Sequence, residues 1–163
     1  MLSRRQIMNR QNKVTYIAPG QLQERELLLV LNQYFPADPE REWVPAYHFS
    51  MVHRDSIAVM GSINLRIGNT DRLLLYRGQI GYSVKPEFRG HRYAARSIRL
   101  LVPLAARHQL NPLWITCDPD NLASRRTCEL AGGKLVEIVD IPPDEEMYQH
   151  GIRQKCRYKL ETT

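Results

Sequence analysis

Residues 82–94 read Tyr82-Ser83-Val84-Lys85-Pro86-Glu87-Phe88-Arg89-Gly90-His91-Arg92-Tyr93-Ala94. A short apolar strand runs into a proline, crosses an Arg-Gly turn and enters a helical pattern. Ala94, Ile98, Leu101, Val102 and Ala105 recur at helical spacing and form one stripe. The first turn of a helix carries N–H groups without intrahelical acceptors. A strand–turn–helix of this kind therefore aims several free amides at one spot and makes an anion site. Pro103 lies inside the helix, where it removes one hydrogen bond and costs about 3 kcal/mol unless the helix bends.

Upstream, the period is two. Tyr47, Phe49 and Met51 alternate with His48, Ser50 and Val52, and Val59, Gly61, Ile63, Leu65 and Ile67 alternate with Met60, Ser62, Asn64 and Arg66. Gly68-Asn69-Thr70-Asp71 is a turn signal, and Gln79 to Val84 is the next strand. Three strands with short connections form an antiparallel meander. The run Leu27 to Leu31, closed by Pro36 and Pro39, reads as a buried strand, although its spacing also traces a helix face. Residues 36–45 read as loop.

Downstream, Leu113 to Cys117 is a β-rich run broken by Asp118-Pro119-Asp120. Asn121 to Gly133 reads as a helix with Asn121 as its N-cap and a glycine stop. Lys134 to Val139 and Arg153 to Leu160 complete the strands, with residues 140–146 as loop. The order of strands, helix, strand, helix and strands predicts an α+β domain, a mixed α/β sheet covered by helices.

Length and composition bound the class. A chain of 163 residues with 43% hydrophobic and 25% charged residues is one soluble domain able to bury a core. Residues 1–13 carry Arg4, Arg5, Arg10 and Lys13 without an apolar stretch, and read as a basic tail preceding a domain at 14–163. No apolar run approaches a membrane span. Cys117, Cys128 and Cys156 are odd in number and widely spaced, which fits neither a disulfide framework nor a metal site and points to the cytoplasm. The net charge of +6 favours anionic partners, phosphorylated cofactors and nucleic acid among them.

The segments at 82–94 and 113–133 together resemble the GNAT acetyltransferase superfamily. In that family a strand ending Val-x-Pro leads to Q/R-x-x-G-x-G/A, and a second motif, N-x-x-S or N-x-x-A, opens a later helix. The Ser124 form is most similar to the branch of ribosomal-protein N-terminal acetyltransferases. The resemblance implies a mostly antiparallel, twisted sheet flanked by helices. It also implies acetyl-CoA as cosubstrate and direct attack by a primary amine in a ternary complex. Residue by residue, it implies that Arg89, Gly90, His91, Arg92, Tyr93 and Ala94 hold the pyrophosphate. It places Tyr82, Ser83 and Val84 along pantetheine, on a strand splayed by a bulge, with Asn121 facing the cofactor. Arg92 stands where the family usually has glycine.

The family's leaving-group acid is often a tyrosine seven residues after the motif asparagine. Cys128 occupies that position, and Ser124 is the other candidate; Cys128 also reads as a small buried residue. Thr116 stands where many relatives carry glutamate, and residues 79–84 contain no acid. His48 and His53 are the remaining candidates for a base. Acceptor loops fall at 34–47 and 140–152, with Trp43, Tyr47 and Tyr148 as possible lining and Asp144, Glu145 and Glu146 as a cation-attracting run. The acceptor is a small amine or a peptide N-terminus, and the chain is a monomer or homodimer. A non-catalytic acyl-CoA-binding module and a nucleic-acid-binding domain are the alternatives. The latter lacks a ribonucleoprotein motif, zinc spacing or a helix-turn-helix.

Overall fold

The computed structural model describes residues 14–163. The expected basic tail, 1–13, lies outside the described residues. Strands β1 (Leu22–Glu24), β2 (Leu27–Phe35), β3 (Ala46–His53), β4 (Val59–Arg66) and β5 (Ile80–Val84) form a five-stranded antiparallel sheet in sequence order. Strands β6 (Leu113–Cys117), β7 (Lys134–Asp140) and β8 (Gln154–Leu160) form a second, three-stranded sheet ordered β6-β8-β7. Helix α1 (Tyr93–Arg107) connects the sheets, α2 (Leu122–Leu130) links β6 to β7, and α3 (Glu146–Gln149) is a single turn before β8. The α+β architecture expected from the sequence is therefore present.

The core lies where α1 meets the larger sheet. Ile98, Leu101, Leu104 and Ala105 are buried on the helix, against Phe49, Met51, Ile63 and Leu65 from the strands. Each buried leucine or isoleucine contributes about 1.5–3 kcal/mol. Leu104 belongs to the buried stripe, whereas Val102 is only partly covered. Pro103 is tolerated because it faces solvent, where water can serve the carbonyl it leaves free at Arg99. Arg96 pins the start of α1 to the larger sheet, pairing with Glu24 and with Glu26 at 2.8 Å.

The run at 27–31 lies in strand β2, and the expected loop at 140–146 is shorter, since Asp140 ends β7 and Glu146 opens α3. The alternation in β4 fails at its start. Val59 is exposed and Met60 fully buried, because the β3–β4 register shifts between Met51 and Val52. A bulge adds one residue and reverses the facing of its neighbours. Leu73–Arg77 form a π-helical turn. It is tied to the smaller sheet by the Thr116 hydroxyl donating to the Tyr76 carbonyl at 2.9 Å and by Arg157 Nε donating to the Leu74 carbonyl. None of the described helices is long and apolar enough to cross a membrane.

Gln79 hydrogen-bonds the edges of the two sheets to one another. The Gln79 N–H donates to the Trp114 carbonyl, and the Trp114 N–H returns to Gln79 Oε1, both at 2.8 Å. The Gln79 side-chain amide also donates to the Gly68 carbonyl at 2.7 Å, and the residue is buried. Beyond this point β5 and β6 share no ladder, and they part toward their C-terminal ends. The family's strand bulge is not the device used. β5 keeps an unbroken register with β4, from Leu65↔Ile80 to Gly61↔Val84. Gly61 makes this possible, since a Cβ there would lie 2.2 Å from the Ser83 carbonyl oxygen.

Candidate active site

Between β5, the start of α1 and the start of α2 lies a cleft of about 450 Å³. Its walls are Tyr82, Ser83 and Val84 of β5, Arg89, Gly90, Arg92, Tyr93 and Ala94 of the β5–α1 junction, and Asn121 and Ser124 of α2. Most residues singled out in the sequence thus meet in one place. Phe88, Ala123 and Thr127 join them; their side chains carry no chemical signal that sequence reading could have used.

The junction is built to expose amides. Pro86–Phe88 form a 3₁₀ turn, Gly90 has φ +91°, and Arg92, at the N-cap of α1, has φ +60°. Main-chain N–H groups from Gly90 to Ala95 have no acceptor among the described residues. Together with the positive end of the helix dipole they favour an anion. Arg92 adopts the left-handed conformation that explains glycine at this position in relatives. A side chain there costs roughly 1–2 kcal/mol. No Cβ contact would arise at Gly90, so its need for glycine is conformational.

Asn121 caps α2, its Oδ1 accepting from the Ser124 N–H at 3.0 Å. Tyr82 reaches across the cleft from β5, and its hydroxyl donates to the Ser124 carbonyl at 3.4 Å. Burial is the main reason that the Tyr82 phenol pKa is raised.

Two expected residues lie elsewhere. His91 is exposed and turned toward the Tyr93 ring, 5.4 Å between centroids, outside the cleft wall. Cys128 is fully buried in the core and also absent from the wall. A hydrogen-bonding contact with Cys117, and then burial, push its thiol pKa far up. Cys117, Cys128 and Cys156 are all free and buried.

A second cavity, about 490 Å³, adjoins β5 from the β4 side. His48, Asn64, Arg66 and Trp43 line it, with Arg77 from the π-helical turn and Glu146 from α3. A Cβ on Gly81 would lie 3.0 Å from both Arg66 Nη2 and Asn64 Oδ1, so these side chains rest against β5. Asn64 and Arg66 of β4 therefore link the second cavity to β5, whose own residues line only the first cleft. His48 packs edge-on against Phe35, and burial, then the charge of Arg66, hold its pKa below the ordinary value of 6.5. His53 instead accepts from the amides of Asp55 and Ser56 in the β3–β4 turn.

Of the expected acceptor aromatics, Trp43 lines this cavity. Tyr47 is a core residue whose hydroxyl lies 2.7 Å from His108 Nε2, and Tyr148 packs under Arg153. Asp144 and Glu145 are taken up by Arg72, with Arg77 also on Glu145, which leaves Glu146 facing the cavity. The signal for Arg66 and Asn64 was their place on the alternate face of a strand, to which sequence reading attached no role.

Solved structures share this architecture. A Vibrio cholerae protein assigned as a ribosomal-protein-serine acetyltransferase superposes with a TM-score of 0.62 at 15% identity, covering 89% of this chain and 99% of that one. The microcin C7 self-immunity acetyltransferase MccE, in complex with acetyl-CoA and AMP, gives 0.56 at 18%, covering 71% of this chain and 61% of its own. RimL, a ribosomal L7/L12 α-N-protein acetyltransferase in complex with coenzyme A, gives 0.55 at 18%, covering 75% and 64%. No curated protein matches the sequence. The model of the acetyltransferase (GNAT) domain matches residues 4–134, a stretch that includes both walls of the cleft. The chain is therefore an acyltransferase of the GNAT family.

Proposed function

We propose that this protein transfers the acetyl group of acetyl-CoA to a primary amine, by direct attack in a ternary complex. The observation that carries the reading is the unpaired amides of Gly90, Arg92, Tyr93 and Ala94, residues that line the same cleft as Asn121 and Ser124. Amides and the Arg89 and Arg92 side chains hold the pyrophosphate, and Tyr82, Ser83 and Val84 run along pantetheine. The acetyl group sits at β5, where the second cavity delivers the amine.

His48 takes the ammonium proton. Its depressed pKa keeps the imidazole neutral, and therefore basic, at neutral pH. The amine nitrogen attacks the thioester carbonyl carbon, the C–S bond breaks, and the sulfur leaves as thiolate. Tyr82 and Ser124 are the polar groups of the cleft wall suited to receive it. A phenol with a raised pKa stays protonated beside a thiolate, whose conjugate acid titrates near 8.5. Tyr82 therefore stabilises the leaving sulfur by donating a hydrogen bond, and the second proton that the nitrogen sheds on becoming an amide passes through water to the thiolate. Cys128 is withdrawn from this role because its thiol does not reach the cleft.

The acceptor is a small amine or a peptide N-terminus. Three unpaired cysteines fit a reducing cytoplasm. Acetyl-CoA should raise the melting temperature and bare nucleotide should raise it less. Gly90→Asp, which adds negative charge at a positive φ, should abolish that shift in a protein that still folds. An unchanged shift would remove the phosphate loop from 89–94.

A further inference from the structure

Arg66 is a half-buried cation without a counter-charge among the described residues. Its Nη1 donates to the carbonyl of Gly78 at 3.0 Å and, more weakly, to that of Arg77 at 3.4 Å. No carboxylate among the described residues lies within ion-pair distance of it, and residues 1–13 contain neither Asp nor Glu. Neighbouring cations are satisfied differently: Arg72 and Arg77 share Glu145, and Arg157 pairs with Glu137. A half-buried guanidinium held only by carbonyl dipoles keeps unused donors in a site of low dielectric, where an unpaired charge is costly. Burial, then the neighbouring charge of Arg77, drive the Arg66 pKa down from its usual value, as expected of a cation lacking a partner.

The surroundings define what it awaits. Arg66 lines the second cavity beside Asn64, whose Oδ1 accepts from the Gly81 N–H at 3.1 Å and whose side-chain NH₂ remains a donor. Glu42 and Glu146 line the same cavity but are exposed, so water screens them. An incoming molecule thus meets acids at the mouth and an unpaired arginine against β5. Gly81, on which Arg66 rests, adjoins Tyr82 in the opposite cleft, with about 3.8 Å between their α-carbons. An anion seated on Arg66 would hold an amine two or three bonds away close to the β5 wall.

We propose that the acceptor is an amino-carboxylate, a molecule whose carboxylate binds Arg66 while its nearby primary amine is acetylated. This rests on the acetyl-transfer reading above. The carboxylate can belong to a free amino acid or to the first residue of an acidic peptide. The test separates these sources with matched pairs: free amino acids against their carboxamides, and tripeptides beginning with Asp or Glu against those beginning with Asn or Gln. Binding is read as the thermal shift at saturating coenzyme A, and turnover as thiol release from acetyl-CoA.

A charge-assisted hydrogen-bonded contact should give the carboxylate member of at least one set about 10- to 100-fold tighter binding or lower KM. Arg66→Met should erase that preference, and Arg66→Lys should restore part of it, while both keep the shift produced by acetyl-CoA. Preference in the amino-acid set identifies a small acceptor, and preference in the peptide set alone identifies an acidic N-terminus. Equal response within every pair, no response to any compound, or a preference that survives Arg66→Met overturns the proposal. Failure of acetyl-CoA itself to shift the wild-type protein strikes instead at the acetyl-transfer reading.

Discussion

At the scale of single residues, Arg92 and Tyr82 reward comparison with what their neighbours in sequence suggest. Arg92 occupies a left-handed position and presents a cation at the phosphate end of the cleft. Arg92→Gly should raise stability by about 1 kcal/mol in thermal unfolding, because the backbone strain is relieved. It should also weaken acetyl-CoA binding, since one guanidinium is lost. Tyr82→Phe should lower kcat by roughly 10²–10³-fold with little change in acetyl-CoA affinity, the usual effect of removing one donor from developing negative charge. Cys128→Ala should leave kcat near wild type and lower the melting temperature, as expected for a side chain 0% exposed in the core. Wild-type turnover in Tyr82→Phe would return the search for the leaving-group partner to Ser124. Sequence spacing along α2 led to Cys128, and only folding reveals that a phenol from β5 comes to the same helix. That is a long-range relation, and no local pattern encodes it.

At the scale of elements, the segments that were legible are those whose pattern is enforced by burial on one face. The β3 alternation, the α1 stripe and the Asn121 cap all derive from local periodicity or capping chemistry, and they appear as expected except that Val52 is buried and Leu104, not Val102, belongs to the buried stripe. Elements fixed by distant partners were not legible. β1 is three residues long and exists because β2 pairs with it, and the π-helical turn is held by Thr116 and Arg157 from other strands. The segment before β1 depends on Tyr47. The Tyr47 hydroxyl donates to the Ile17 carbonyl at 3.0 Å and receives the Ile17 N–H at 2.9 Å. Tyr47→Phe should therefore cost about 1–3 kcal/mol in denaturant unfolding, because buried partners lose their hydrogen bonds. A loss below 0.5 kcal/mol would mean that water replaces the hydroxyl.

At the scale of the whole molecule, the two cavities divide the chemistry, and pH should act on them unequally. His48 has to be neutral to accept a proton. Its pKa lies below the ordinary 6.5, so activity should hold steady through neutrality and fall only as acidification passes that lowered value. His48→Gln should lower kcat and remove this acid limb from the pH–rate profile. An unchanged limb would assign the base elsewhere. On the acetyl-transfer reading, part of the overall charge of +6, read from the sequence as attraction to anions, has two local uses. One is the amide-rich junction with Arg89 and Arg92, and the other is Arg66 beneath the acceptor.

The Gln79 bridge has a mechanical meaning as well. Its main-chain and side-chain bonds join the edges of two sheets that share one hydrophobic core. Were donor and acceptor both to load that junction, thermodynamic reciprocity would require each to alter the other's affinity by one common factor. How strongly the two sense one another would then depend on how stiffly a glutamine is held, as much as on either pocket.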